Sequence, residues 1–327
     1  MNKTKVFLGF VLIGLLVVSA ASIPLQAAIP AEERAALIAL YNATNGDNWT
    51  DNSGWKTPPL HTDGFAMPGT ENTWYGITVS GDHVTVINLV ENNLTGNIPP
   101  ELENLSNLEN LDLSANGLNG SIPPELGNLS NLKELHLSGK LVFALTQCQF
   151  SGSIPPELGN LSNLEYLDLW GNCLSGSIPS ELGNLSNLEY LNLSANELSG
   201  SIPPELGNLS NLKELHLSGK PAIGGIQYQF SGSIPPELGN LSNLENLNLS
   251  GNCLSGSIPS ELGNLSNLRN LDLSKNDLSG SIPPELGNLT NLKELDLSGS
   301  SMYFGPPRPV ERQHSPGVRK SQQFGRA

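Results

Sequence analysis

The chain has 327 residues, with Lys+Arg 16 against Asp+Glu 31, and a formal charge of −15 near neutral pH. That acidity excludes the phosphate backbone of nucleic acid as a main partner, because such binding needs a basic footprint. Three cysteines cannot supply a disulfide framework, and the chain is enriched instead in Leu, Asn, Ser and Gly.

Lys3 and Lys5 precede an apolar run from Val6 to Val18, followed by the small residues Ser19-Ala20-Ala21 and Ala27-Ala28. This is the charged, apolar and small-residue order of a secretory signal peptide, assigned to residues 1–28. The run is shorter than the roughly 20 residues a span needs. A soluble mature chain without a membrane span, secreted or held at the cell surface, is expected. From Ala31 to Tyr41 a helical run carries Leu37, Ile38 and Leu40 and ends at Asn45-Gly46. Trp49, Trp55 and Trp74 follow in a turn-rich stretch. Asn45, Asp47, Asn48, Asp51 and Asn52 lack the spacing and terminal Glu of an EF-hand and read as turn formers.

Beyond residue 82 the chain repeats. Ile-Pro-(Pro/Ser)-Glu-Leu recurs from Ile98 to Ile282 in steps of 24 or 32 residues, and residues 121–200 and 201–280 are near-copies. In each unit Leu alternates with polar residues, as at Leu111, Asp112 and Leu113, which is strand periodicity with Leu on one side. Asn116 stands where the chain turns, so stacked units would form an asparagine ladder. Ile122-Pro123-Pro124 favours extended backbone, and Glu125-Leu126 begins a short helical turn ending at Gly127. One unit cannot bury its Leu residues alone; stacking makes a continuous core. The two 32-residue units carry insertions, Lys140 to Gln149 and Lys220 to Gln229, expected to bulge at one edge.

These units resemble the plant-type leucine-rich repeats, the 24-residue class with Leu-x-Gly-x-Ile-Pro. The resemblance implies an α/β solenoid, a right-handed superhelix with a concave parallel sheet and about nine coils over residues 83–299. It makes residues 29–82 an N-terminal cap whose tryptophans cover the first coil. Trp74-Tyr75-Gly76-Ile77 resembles the cap motif of the family, but Asn72 and Val79 stand near the places where plant members carry a cysteine pair. A microbial or algal relative without the cap disulfide is therefore expected. Residues 300–327 are a basic low-complexity tail without Leu, and a truncated or frame-altered array beyond Gly299 is expected.

No nucleophile elbow, zinc-protease motif, phosphate loop or Cys-x-x-Cys is present, so the chain reads as a non-enzyme without a cofactor. Coil spacing places Cys173 and Cys253 about 14 Å apart, too far to bridge, and allows a Cys148–Cys173 pair without requiring one.

Side chains flanking the strand Leu point out of the concave sheet. Most of these positions are Asn, Asp, Glu or Ser. His136, Tyr166, Asp168, Trp170, Tyr190, Asn192 and His216 form the one aromatic-rich patch and are the candidate ligand-binding residues. His136 beside Asp168 is weak evidence for a metal, and no metal site is assigned. The resemblance implies a protein, peptide or polysaccharide ligand, as for receptor ectodomains and polygalacturonase-inhibiting proteins. The alternative is a structural or adhesive envelope protein. Ice binding needs a flat Thr/Ser array, whereas the Ser column after the strands is broken by Trp170.

Overall fold

The computed structural model describes residues 28–142, 145–147, 149–220, 229–299 and 301–303. The signal-peptide assignment, most of the basic tail, Cys148 and the core of the second insertion lie outside the described residues.

One helix, α1 (Ala31–Ala43), opens the structure, at the bounds of the predicted helical run and two residues beyond. It buries Leu37 and Leu40 together with Glu33 and Arg34. The charged pair is explained by its partners. Arg34 donates to Asp63 Oδ2 at 2.9 Å, to the Ala66 carbonyl at 2.6 Å and to Glu71. Glu33 accepts the Val84 amide at 2.8 Å and lies 2.6 Å from His83 Nδ1. Trp49, Trp55, Trp74, Tyr41 and Phe65 are buried and pack on one another in tilted and edge-to-face pairs, with Trp55 and Trp74 centroids 4.6 Å apart. They belong to the same buried cluster as the first coils. The Asn/Asp stretch builds turns: Asp47 accepts from Tyr41 Oη and Lys56 Nζ, and Asp51 accepts the Ser53 amide.

The concave sheet has ten strands: β1 (Ile77–Ser80), β2 (His83–Asn88), β3 (Asn110–Asp112), β4 (Glu134–His136), β5 (Tyr166–Asp168), β6 (Tyr190–Asn192), β7 (Glu214–His216), β8 (Asn246–Asn248), β9 (Asn270–Asp272) and β10 (Glu294–Asp296). From β2 to β10 they run parallel, one per coil, nine in all as expected. The tenth strand, β1, pairs antiparallel with β2 through a Gly81-Asp82 turn and extends the sheet toward the N-terminal segment. The strand Leu residues, such as Leu111, Leu135 and Leu167, are fully buried.

Each coil returns along the convex side through an extended Ile-Pro and a 3-10 turn, as at Pro124–Asn128, where Pro suits a first position that has no amide to satisfy. The turn runs one residue past Gly127, which is there for a different reason. A Cβ on Gly127 would sit 2.3 Å from the Glu157 carbonyl oxygen of the next coil.

The asparagine ladder forms. Asn116 Nδ2 donates to the Leu89 carbonyl of the preceding coil at 2.8 Å, and its Oδ1 accepts the Asn92 and Leu94 amides at 2.9 Å each. Asn172, Asn196, Asn252 and Asn276 repeat this, all buried. A second, exposed ladder lies beside the helical turns: Asn131, Asn163, Asn187 and their equivalents donate to a Ser carbonyl one coil back at 2.8 Å. The first insertion leaves β4 as an antiparallel hairpin of Lys140–Val142 with Leu145–Gln147. Cys173 is disulfide-bonded, and the Cys253 thiol donates to Gln229 Oε1 at 2.8 Å. Among the described residues no helix is long and apolar enough to cross a membrane.

The N-terminal segment before the repeats carries a built-in acid sensitivity. Burial alone would raise the Asp63 carboxyl, but Arg34, the Phe65 amide and His61 hold it down at about 2, against 3.8 unperturbed. A depressed folded-state value stabilises above the unfolded value and is lost as pH falls through the folded one. Tryptophan fluorescence should therefore report loosening of that segment between about pH 4 and 2. An Asp63→Asn variant should lack that dependence.

Candidate functional site

Strand parity and register gather the site. Glu134, Tyr166, Tyr190 and Glu214 lie side by side in one column, and His136, Asp168, Asn192 and His216 in the next. Four rings then close into a continuous ribbon. His136 stacks on Tyr166 at 4.5 Å and 28°, a diagonal pairing within reach of long side chains. Tyr166 stacks on Tyr190 at 4.1 Å and 2°, and Tyr190 meets His216 at 5.6 Å and 45°.

The ribbon is tied at both ends and along its length. His136 Nε2 lies 3.4 Å from Glu134 Oε2, and His216 Nε2 lies 2.9 Å from Glu214 Oε2. Asn192 Nδ2 donates to Tyr190 Oη at 3.1 Å. Burial, then the hydrogen bond to Tyr190, pushes the Tyr166 phenol well above its ordinary value, and burial likewise raises Tyr190.

Asp168 and Asn192 do more than face solvent. Asp168 Oδ1 accepts the Trp170 amide at 3.0 Å, and Asn192 Oδ1 accepts the Ser194 amide at 3.1 Å. Asp112, Asn248, Asp272 and Asp296 make the same bond two residues on. This column therefore holds the turn that leaves each strand, a local Asx motif. His136 and His216 are its exceptions, and both stand in the coils that carry insertions. Burial raises the Asp168 carboxyl, opposed by the Trp170 amide, the Ser138 hydroxyl and His136.

Of the seven candidates, four form the ribbon, Asp168 and Asn192 flank it, and Trp170 stands apart. Trp170 lies past the end of β5, half-buried, and makes no ring contact among the described residues. Glu134 and Glu214 fall outside the set of residues that the aromatic pattern in the sequence picks out. The signal was present in the column Glu134, Tyr166, Tyr190, Glu214, which sets a carboxylate on either side of the tyrosine pair. Among the described residues no group of three or more His, Cys, Asp or Glu could hold a metal ion.

Coil stacking, ladder and concave sheet define a leucine-rich repeat solenoid. A leucine-rich repeat region model matches residues 140–319, and single leucine-rich repeats match 83–105 and 107–129. The chain belongs to the leucine-rich repeat family. It is similar to the ectodomain of the Arabidopsis thaliana receptor kinase GASSHO1/SCHENGEN3, solved with CASPARIAN STRIP INTEGRITY FACTOR 2, at 35% identity and TM-score 0.62, over 77% of this chain and 32% of that one. It is similar to the ectodomain of the Arabidopsis receptor kinase HAESA, solved with an IDA peptide hormone, at 34% identity and TM-score 0.65, over 83% of this chain and 42% of that one. A Leptospira interrogans leucine-rich repeat protein is 33% identical, with TM-score 0.53, over 67% of this chain and 50% of that one. The chain thus spans a third to a half of the length of these proteins. No curated protein matches it.

Proposed function

We propose that the protein is an exported, non-enzymatic binding module that recognises a protein or peptide on its concave face, across the ribbon His136–Tyr166–Tyr190–His216. The observation that carries this is the ribbon itself, a rigid aromatic strip on a sheet whose other outward positions are almost all small or polar. The similar HAESA ectodomain was solved with an IDA peptide hormone, which supports a peptide ligand. A sugar ring needs an open aromatic face, and Tyr166 has both faces covered, by His136 and Tyr190, while Tyr190 has one covered by Tyr166 and meets His216 at a tilt. Residues 1–28 support export, and the cap without its cysteine pair supports a microbial or algal relative.

Screening the full mature chain against a random peptide display tests the reading. Binders should be lost from a Tyr166→Asn/Tyr190→Asn variant that keeps its sheet signature in circular dichroism. Because Tyr166 is stacked on both faces, the double change should also cost stability, about 1–2 kcal/mol. Binders that tolerate the double change would overturn the site, and failure to select any binder would favour the adhesive role.

A further inference from the structure

We infer that the concave face selects a basic polypeptide segment, laid along the solenoid axis with Lys or Arg side chains at Glu134 and Glu214. This rests on the concave-face reading above and adds the chemistry of the ligand to it. None of the outward positions of β2 to β10 carries Lys or Arg, while the ribbon is surrounded by Asp112, Glu134, Asp168 and Glu214. Lys133, Lys213, Arg269 and Lys293 stand at the sheet edge instead, each just before a strand. There Lys133, Lys213 and Arg269 are already paired with Glu109, Glu189 and Glu245 at 2.7, 2.6 and 2.8 Å. Among the described residues, Glu134 takes Asn110 and His136, and Glu214 takes His216. Both glutamates are open to solvent, with side chains 48% and 39% exposed.

The spacing sets a register for the ligand. Glu134 and Glu214 are three strand steps apart in one column, about 14 Å at ~4.8 Å per step. An extended peptide advances ~3.3 Å per residue, so side chains at i and i+4 point the same way about 13 Å apart. Cations at those two positions reach the two glutamates, and the side chain at i+2 lies over the tyrosine pair. Tyr166 has both faces covered and Tyr190 one, so the pair offers mainly ring edges and hydroxyls rather than a broad cation-binding face. Charge recognition therefore falls to the glutamates. An acidic segment in the same place would set carboxylate against carboxylate.

The test uses fluorescent synthetic peptides with Lys at i and i+4 and Leu at i+2, titrated into the full chain by anisotropy. The expected result is binding that weakens with added salt and falls roughly tenfold or more in Glu134→Gln/Glu214→Gln. A peptide with Lys moved to i and i+2 should bind as weakly. Equal affinity for a peptide with Glu in place of Lys, or undiminished binding by the Gln variant, would overturn the inference. If neutral or acidic peptides bind and Tyr166→Asn/Tyr190→Asn abolishes it, the peptide site survives and only its basic selectivity fails. Binding that appears only after Arg308, Arg312, Arg319, Lys320 and Arg326 are changed to Gln would place the chain's own tail on the face. That result would also overturn the assignment to a partner.

Discussion

Gly159→Ala destabilises the solenoid by about 2–3 kcal/mol or more, the range of an unrelieved overpacking defect. A methyl group there would lie 2.4 Å from the Glu181 carbonyl oxygen and 2.8 Å from the Glu181 Cβ. The obstacle is mostly backbone, so no side-chain rotation relieves it, and the two coils must separate. Gly287 is the internal control. It occupies the same place in the last described coil, where an added Cβ meets nothing within 4 Å. Gly287→Ala should be neutral, or stabilising by about 0.4–1 kcal/mol through the unfolded state. Urea denaturation of the two variants separates close coil approach from backbone flexibility as the reason for this glycine. Equal effects would contradict the stacking account.

Asn196→Ala should cost about 2–4 kcal/mol, because it strands several buried groups at once. Its amide donates to the Leu169 and Leu193 carbonyls at 2.9 and 3.1 Å, and its oxygen accepts the Leu174 amide at 3.1 Å. Asn187 also bridges two coils, through one exposed bond of 2.8 Å to the Ser162 carbonyl. Asn187→Ala should cost under about 1 kcal/mol, since water replaces the lost partner. The same residue type in two ladders thus differs in effect because only one ladder is dry. A loss in Asn196→Ala no larger than in Asn187→Ala, by thermal or urea unfolding, would show that the inner ladder does not hold the coils.

The core was legible because Leu, Ile and Pro recur at positions that a stacked coil must fill, and the ladder because Asn116 recurs at the turn. What escaped depended on features without periodicity, or with one open to two readings. The buried Arg34 on α1 is invisible to an apolar pattern, since its partners Asp63 and Glu71 come from a loop and a short 3-10 turn without periodicity. The strand β1 could have been found from Ser80-Gly81-Asp82-His83, a hairpin turn between two β-branched runs. The Asp/Asn column looked like ligand-facing decoration, whereas each side chain also holds its own turn, as Asp272 does for Ser274. At the site, parity placed Tyr166 and Tyr190 on one face, but rotamers decided that the rings stack. Trp170, equally prominent in sequence, falls past the strand end and joins nothing in the ribbon.

The most direct measurement of the central claim is hydroxyl-radical footprinting of the full chain, with and without a saturating peptide selected by display. Tyr75, 39% exposed in the N-terminal segment and away from the ribbon, serves as the reference. The account predicts that the peptide shields Tyr166, Tyr190, His136 and His216 while Tyr75 reacts unchanged. Protection at Tyr75 with the ribbon still fully reactive would contradict it.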